Sequence, residues 1–202
     1  MTRSQWIILL VSGISAGSAA VGCAPGGVGD PCVPEDEYTP TFSGFGEQEA
    51  NVESRSFQCE TRVCIVNHFR GRVSCPYGQV NDPDPTKAAR DAAHGRCHVP
   101  ASPDLVTATV AAQLTSRRAD STVYCSCRCK GTDTTAKYCT CPSGYSCSPL
   151  VPDLGLGKAN LAGSYCLKNG SDYTGNAGQK DCTSNNNICD TAGYPANKNP
   201  GN

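Results

Sequence analysis

The sequence has little of what fills an ordinary protein core. It holds one Trp, one Met and four Phe, and of the 180 residues from Cys23 onward only 25 are Leu, Ile, Val or Phe. A share that low usually marks disorder when net charge is high. Here the formal net charge is −1, so charge repulsion does not hold the chain open. The scarcity excludes a doubly wound sheet, a TIM barrel, a helix bundle and a multi-span membrane protein. Catalytic signals are scarce as well. There are three histidines, His68, His94 and His98, and no G-x-S-x-G, H-E-x-x-H or phosphate-cradling glycine loop. No C-x-x-C occurs for thiol exchange. The near-zero charge, without a basic stripe, argues against a nucleic-acid partner. The expectation is a protein that is not an enzyme and uses no cofactor.

What the chain has in abundance is cysteine, glycine and proline, at 15, 21 and 14 residues. Cross-links replace apolar burial in such chains, and they persist in oxidising compartments. The expected fold is small, disulfide-rich, mainly β and irregular, with short hairpins, long loops, little helix and a disordered C-terminal tail.

Residues 1–22 read as a secretion signal: Arg3 is followed by the apolar run Trp6-Ile7-Ile8-Leu9-Leu10-Val11 and by small residues. The run is too short to span a bilayer. It ends in Ala20-Val21-Gly22-Cys23, which resembles the lipobox of bacterial lipoproteins, with Ala20 where that family most often has Leu. The resemblance implies lipid attachment at Cys23 and a cell-envelope location anchored in the membrane. Ala24 is not an inner-membrane retention residue of the Asp type, which favours the outer membrane. Parity supports the anchor. Fifteen cysteines cannot all pair within one chain, whereas removing Cys23 leaves fourteen. Residues 23–31 then form the lipidated N-terminus and a flexible tether.

The candidate disulfide cysteines are Cys32, Cys59, Cys64, Cys75, Cys97, Cys125, Cys127, Cys129, Cys139, Cys141, Cys147, Cys166, Cys182 and Cys189. They define a unit over 32–190, with 32–100 and 101–190 as candidate subdomains, and leave 191–202 as a tail without periodicity. Connectivity is not fixed by the sequence. One bridge is nevertheless suggested: a strand over 62–67, a turn near Phe69-Arg70 and a return at 72–75 would set Cys64 opposite Cys75, about 5 Å away.

Two further strands are expected. Val106, Ala108, Val110, Ala112 and Leu114 alternate with Thr107, Thr109 and Gln113, which is period two. In 122–129, Val123 and three cysteines form one face, while Tyr124, Ser126, Arg128 and Lys130 form a polar one. Residues 87–94 suit a short helix. Residues 30–53 contain seven acids and no Lys or Arg, whereas 55–72 carry four Arg against Glu60. This asymmetry reads either as a binding face or as two stretches that screen each other.

Six cysteines crowd between Cys125 and Cys147. Alternate residues of a strand lie about 6.6–6.8 Å apart, so neighbouring cysteines should bond to other segments, with Cys139 and Cys141 returning beside the first strand in a hairpin. Soft-metal or redox use of this cluster is the alternative reading, and it requires reduced thiolates. Haem attachment lacks its first cysteine at His94-Gly95-Arg96-Cys97-His98. The run Cys139-x-Cys141-Pro142-x-Gly144-Tyr145-x-Cys147 is similar to the end of an EGF-type module. One residue between Tyr145 and Cys147 is too few for that family, and no binding residues carry over. Both this run and Cys75-Pro76-Tyr77-Gly78 read as turns after a bridged cysteine, with glycine supplying positive φ. The polar stretch Gly170–Asn176 lacks the alternating acids and closing Glu of a calcium loop. The function expected is a non-enzymatic structural or binding role in the envelope, with a protein or glycan partner.

Overall fold

The computed structural model describes residues 26–80, 96–153, 161–175 and 180–182. The signal segment, Cys23, the 87–94 helix expectation, Cys189 and the tail lie outside the described residues. Among the described residues the fold is two small antiparallel sheets with one short α-helix, α1 (Ala119–Thr122), and a 3₁₀ turn at Glu35–Tyr38. No described helix is long and apolar enough to cross a membrane.

The first sheet has the order β1 (Ala50–Glu53), β2 (Val63–Asn67), β3 (Val123–Ser126). The second has the order β4 (Arg128–Lys130), β6 (Gly163–Lys168), β5 (Tyr145–Val151). Residues on both sides of position 100 build the first sheet, and Gln79 and Val110 also exchange backbone hydrogen bonds of 2.8 and 2.9 Å. Both faces of β2 and β3 are covered. Cys64, Val66, Val123 and Cys125 join Phe45, Phe69 and Val73 on one side. Ile65 and Tyr124 meet Leu150, Tyr165 and Leu167 on the other. Period-two alternation therefore feeds two separate cores.

Covering the second face corrects the expectation of a polar one. Tyr124 and Ser126 are buried, Arg128 is half-buried and only Lys130 is exposed. Burial is tolerated because the polar atoms are paired. Lys168 N–H donates to the Tyr124 hydroxyl at 2.8 Å, and Ser126 Oγ donates to the Cys166 carbonyl at 2.9 Å. Cys127 is the joint between the sheets, its carbonyl accepting from Cys166 N–H at 3.1 Å.

The strand at 62–67 forms as β2, but its expected return does not. The backbone at His68 and Gly71 adopts positive φ, 52° and 91°, and these residues turn the chain out of the sheet. Gly71 instead pairs with Phe45 through two backbone hydrogen bonds of 2.9 Å. A Cβ on Gly71 would lie 2.3 Å from the Ala111 carbonyl oxygen, so the close approach requires glycine. Cys64 consequently bonds Cys32, and Cys75 bonds Cys97, rather than each other. The vacant edge of β2 is taken by β3, with Cys64 opposite Cys125.

Residues 106–114 form isolated bridges, at Val110 and Leu114, and not a continuous strand. Val106, Val110, Ala112 and Leu114 are buried, Ala108 is half-buried, and Thr107 and Thr109 are exposed. Gln113, expected outward, is buried because its amide donates to the Arg72 carbonyl at 2.9 Å. The glycines after the bridged cysteines do adopt positive φ, 66° at Gly78 and 88° at Gly144.

Candidate functional site

Six disulfides join the described cysteines: Cys32–Cys64, Cys59–Cys125, Cys75–Cys97, Cys127–Cys139, Cys129–Cys147 and Cys141–Cys166. Cys182 is disulfide-bonded as well. This many bridges fits an oxidising, exported environment. No two neighbours in Cys125-x-Cys127-x-Cys129 bond each other, as the strand spacing requires. The hairpin expected to bring Cys139 and Cys141 back as a strand is replaced by β6, which takes the place beside β4. Cys139 still reaches the first strand, its N–H donating to the Arg128 carbonyl at 3.1 Å.

The bridges fall into groups. At one end the sulfurs of Cys32, Cys59 and Cys125 lie within 4.8 Å of one another, all buried. At the other, the triads Cys127, Cys139, Cys166 and Cys129, Cys141, Cys166 meet the same limit and share Cys166. These are the sulfur groupings a soft metal would seek, but every member is oxidised, and a disulfide sulfur is not a thiolate ligand.

A surface cleft of about 700 Å³ is lined in part by Val33 and Gln58, the chain neighbours of the bridged Cys32 and Cys59. One wall comes from the 3₁₀ turn and the end of β1, carrying Glu35, Tyr38 and Glu53; the other is the 54–62 loop, carrying Arg55, Phe57 and Arg62. Gln58 clasps the walls together, accepting from Val33 N–H at 3.0 Å and donating to the Val33 carbonyl at 2.7 Å. Glu53 accepts from Glu35 N–H at 3.1 Å. The loop is fixed by its disulfide and by Arg62, which stands at φ 62°, a region that non-glycine residues rarely occupy. Arg62 places its guanidinium 4.6 Å from the centre of the Phe57 ring, and Phe57 is 83% exposed. Burial raises the Glu53 carboxyl above its usual range, and the nearby Glu35 and Asp36 charges push the same way. Burial also raises the Tyr38 hydroxyl, with Glu37 and Glu53 adding to it.

The charge asymmetry in the sequence is thus divided. Glu35 and Glu53 face the cleft with Arg55 and Arg62, whereas Glu37 and Arg72 are buried together. Sequence reasoning did not single out Tyr38, Phe57 or Gln58. Phe57 and Gln58 carry one signal, their position at the seam between the acidic and basic stretches, whereas Tyr38 lies inside the acidic one.

Among the described residues, His68 and His98 each sit against a main-chain carbonyl. His68 stacks on Tyr173 at 4.1 Å and its Nδ1 lies 3.1 Å from the Glu47 carbonyl. His98 Nδ1 lies 3.1 Å from the Pro103 carbonyl. His94 is outside the described residues. In the 170–175 part of the polar loop, the Ser171 carbonyl accepts from Asn67 and Arg117, both at 3.1 Å.

Fold and bridges together define a small, cysteine-rich, disulfide-bonded β protein. No family model matches the chain, and neither the curated proteins nor the solved structures show a match to it.

Proposed function

We propose that this protein is an exported lipoprotein, acylated at Cys23 and held to the cell envelope, most simply at the outer membrane, whose cysteine-rich unit binds a partner protein without catalysis. The observation that carries the binding reading is the cleft between Glu35–Tyr38 and the 54–62 loop, where an 83%-exposed Phe57 lies under the Arg62 guanidinium. Exposed aromatics and arginines are the residue types that dominate protein interfaces, and a pre-ordered loop lowers the entropic cost of binding. The mixed charges of the walls suit a polypeptide surface better than a neutral glycan. The anchor reading rests on the Ala20-Val21-Gly22-Cys23 sequence and on cysteine parity. Two or three acyl chains give stable attachment at about 0.8 kcal/mol per buried methylene.

The test is made on the full-length protein in its own membranes. A photo-crosslinker at position 57 should capture one protein species, and Tyr38→Ala should abolish the capture while the protein stays folded. Capture of glycan, or capture that Tyr38→Ala leaves unchanged, contradicts the reading. For the anchor, Cys23→Ser should move the protein out of the membrane fraction; retention at the unchanged mature mass contradicts lipidation.

A further inference from the structure

We propose that Cys129–Cys147 and Cys141–Cys166 form an exchangeable pair of disulfides, a thiol-operated switch with Cys147 as the atom attacked by an incoming low-molecular-weight thiol. Three independent placements lead there. Cys147 is exposed whereas Cys166 is fully buried and Cys129 and Cys141 are half-buried, so the stack has one open end. The sulfurs of Cys129, Cys141 and Cys166 all lie within 4.8 Å of one another although they belong to two different bridges. Cys147 and Cys166 are directly opposite in the β5–β6 register yet are not bonded to each other. Opposed positions in an antiparallel pair have Cα atoms about 4.5–5.5 Å apart, within disulfide range. The four cysteines therefore have a second pairing open to them, Cys129–Cys141 with Cys147–Cys166.

The exchange balances with the thiol returned. The incoming thiolate attacks Cys147 Sγ; a mixed disulfide forms, the Cys129–Cys147 bond breaks, and its electron pair leaves on Cys129. The Cys129 thiolate attacks Cys141 Sγ, forming Cys129–Cys141 and releasing the Cys166 thiolate. That thiolate attacks Cys147 Sγ across the strand pair, forming Cys147–Cys166 and expelling the original thiolate. The number of bridges is the same before and after, and no oxidant or reductant is consumed. The consequence is mechanical. The native pairing ties β5 to β4, and the exchanged one releases that tie and fastens β5 to β6 instead. Cys166 Sγ also lies 3.6 and 3.7 Å from Cys127 and Cys139, so the Cys127–Cys139 bridge is the next one within reach.

The experiment exposes the full-length, oxidised protein to reduced glutathione, quenches with acid, blocks with N-ethylmaleimide and maps unreduced peptides after trypsin and chymotrypsin. Cleavage after Tyr145 separates Cys141 from Cys147. The expected result is the appearance of Cys129–Cys141 and Cys147–Cys166 peptides with matching loss of the two native ones, while Cys32–Cys64 is unchanged. Cys147 glutathionylated with no new bridge overturns the proposal, as does first reaction at Cys32–Cys64. A second experiment needs no added thiol. Cys147→Ser frees Cys129, which should pair with Cys141 and leave Cys166 as the maleimide-labelled residue; label remaining on Cys129 overturns the proposal.

Discussion

Arg72 and Glu37 are bound head to backbone rather than head to head. The Arg72 guanidinium donates to the main-chain carbonyls of Glu37, Thr39 at 3.2 Å and Phe42 at 2.9 Å. The Glu37 carboxylate in turn accepts the N–H groups of Val73 and Ser74, the latter at 2.9 Å. Both side chains are fully buried, so each ion holds the other's chain segment in place. Burial pushes the Glu37 carboxyl up, while the Ser74 and Val73 hydrogen bonds and the Arg72 charge oppose that.

Removing Arg72 leaves the Glu37, Thr39 and Phe42 carbonyls without their donor and the buried Glu37 carboxylate without a compensating charge. Arg72→Met is therefore expected to cost about 3 kcal/mol or more, read as a lowered urea midpoint at unchanged slope. A loss under about 1 kcal/mol contradicts the pairing.

His68 sets a pH dependence. Burial lowers its pKa below 6.5 and the Arg117 charge adds to this, against the hydrogen bond to Glu47. The unfolded chain then holds more protons than the folded one between the folded midpoint and 6.5, so stability rises with pH across that window. The contribution is complete above 6.5 and disappears as pH falls through the folded midpoint. Histidine NMR titration should give a midpoint below 6.5, and His68→Asn, which suits the positive φ, should flatten that part of the stability profile. A midpoint at or above 6.5 contradicts the account.

Gly71 is the turn that redirects the chain after β2. Gly71→Ala combines positive φ with a 2.3 Å approach to the Ala111 carbonyl oxygen, so it should lower stability by about 2 kcal/mol or more. Gly144→Ala serves as the control. It has positive φ but open space around it, and its loss should be smaller, near 1 kcal/mol. Equal losses at the two positions would show that the contact does not matter.

The cleft variants act in the opposite sense. Phe57→Ser removes an exposed ring, so the thermal midpoint should stay nearly unchanged while the partner no longer co-purifies with the membrane-extracted protein. A large fall in thermal midpoint would make Phe57 a packing residue instead.

Much of this was legible in the sequence because it depends on local chemistry. The cysteine excess implied staples, the alternation at 106–114 located buried positions, and the glycines after Cys75 and Cys141 marked positive-φ turns. Non-local pairing was not legible. Nothing near Cys64 announces that β3, from the other half of the chain, will lie beside it. The buried Tyr124 and Ser126 face looked polar because its partners are backbone groups of β6, which carry no side-chain signal. The cleft escaped for the same reason: Tyr38 and Phe57 are brought together by Gln58 and two disulfides rather than by spacing.

The measurement that bears most directly on the account is a peptide map of the unreduced protein extracted from membranes. Cys64 should be joined to Cys32, Cys59 to Cys125 and Cys75 to Cys97, with no maleimide-reactive thiol among the described cysteines and an acylated Cys23 as the first residue. A Cys64–Cys75 peptide, or several free thiols in the 125–147 cluster, would contradict it.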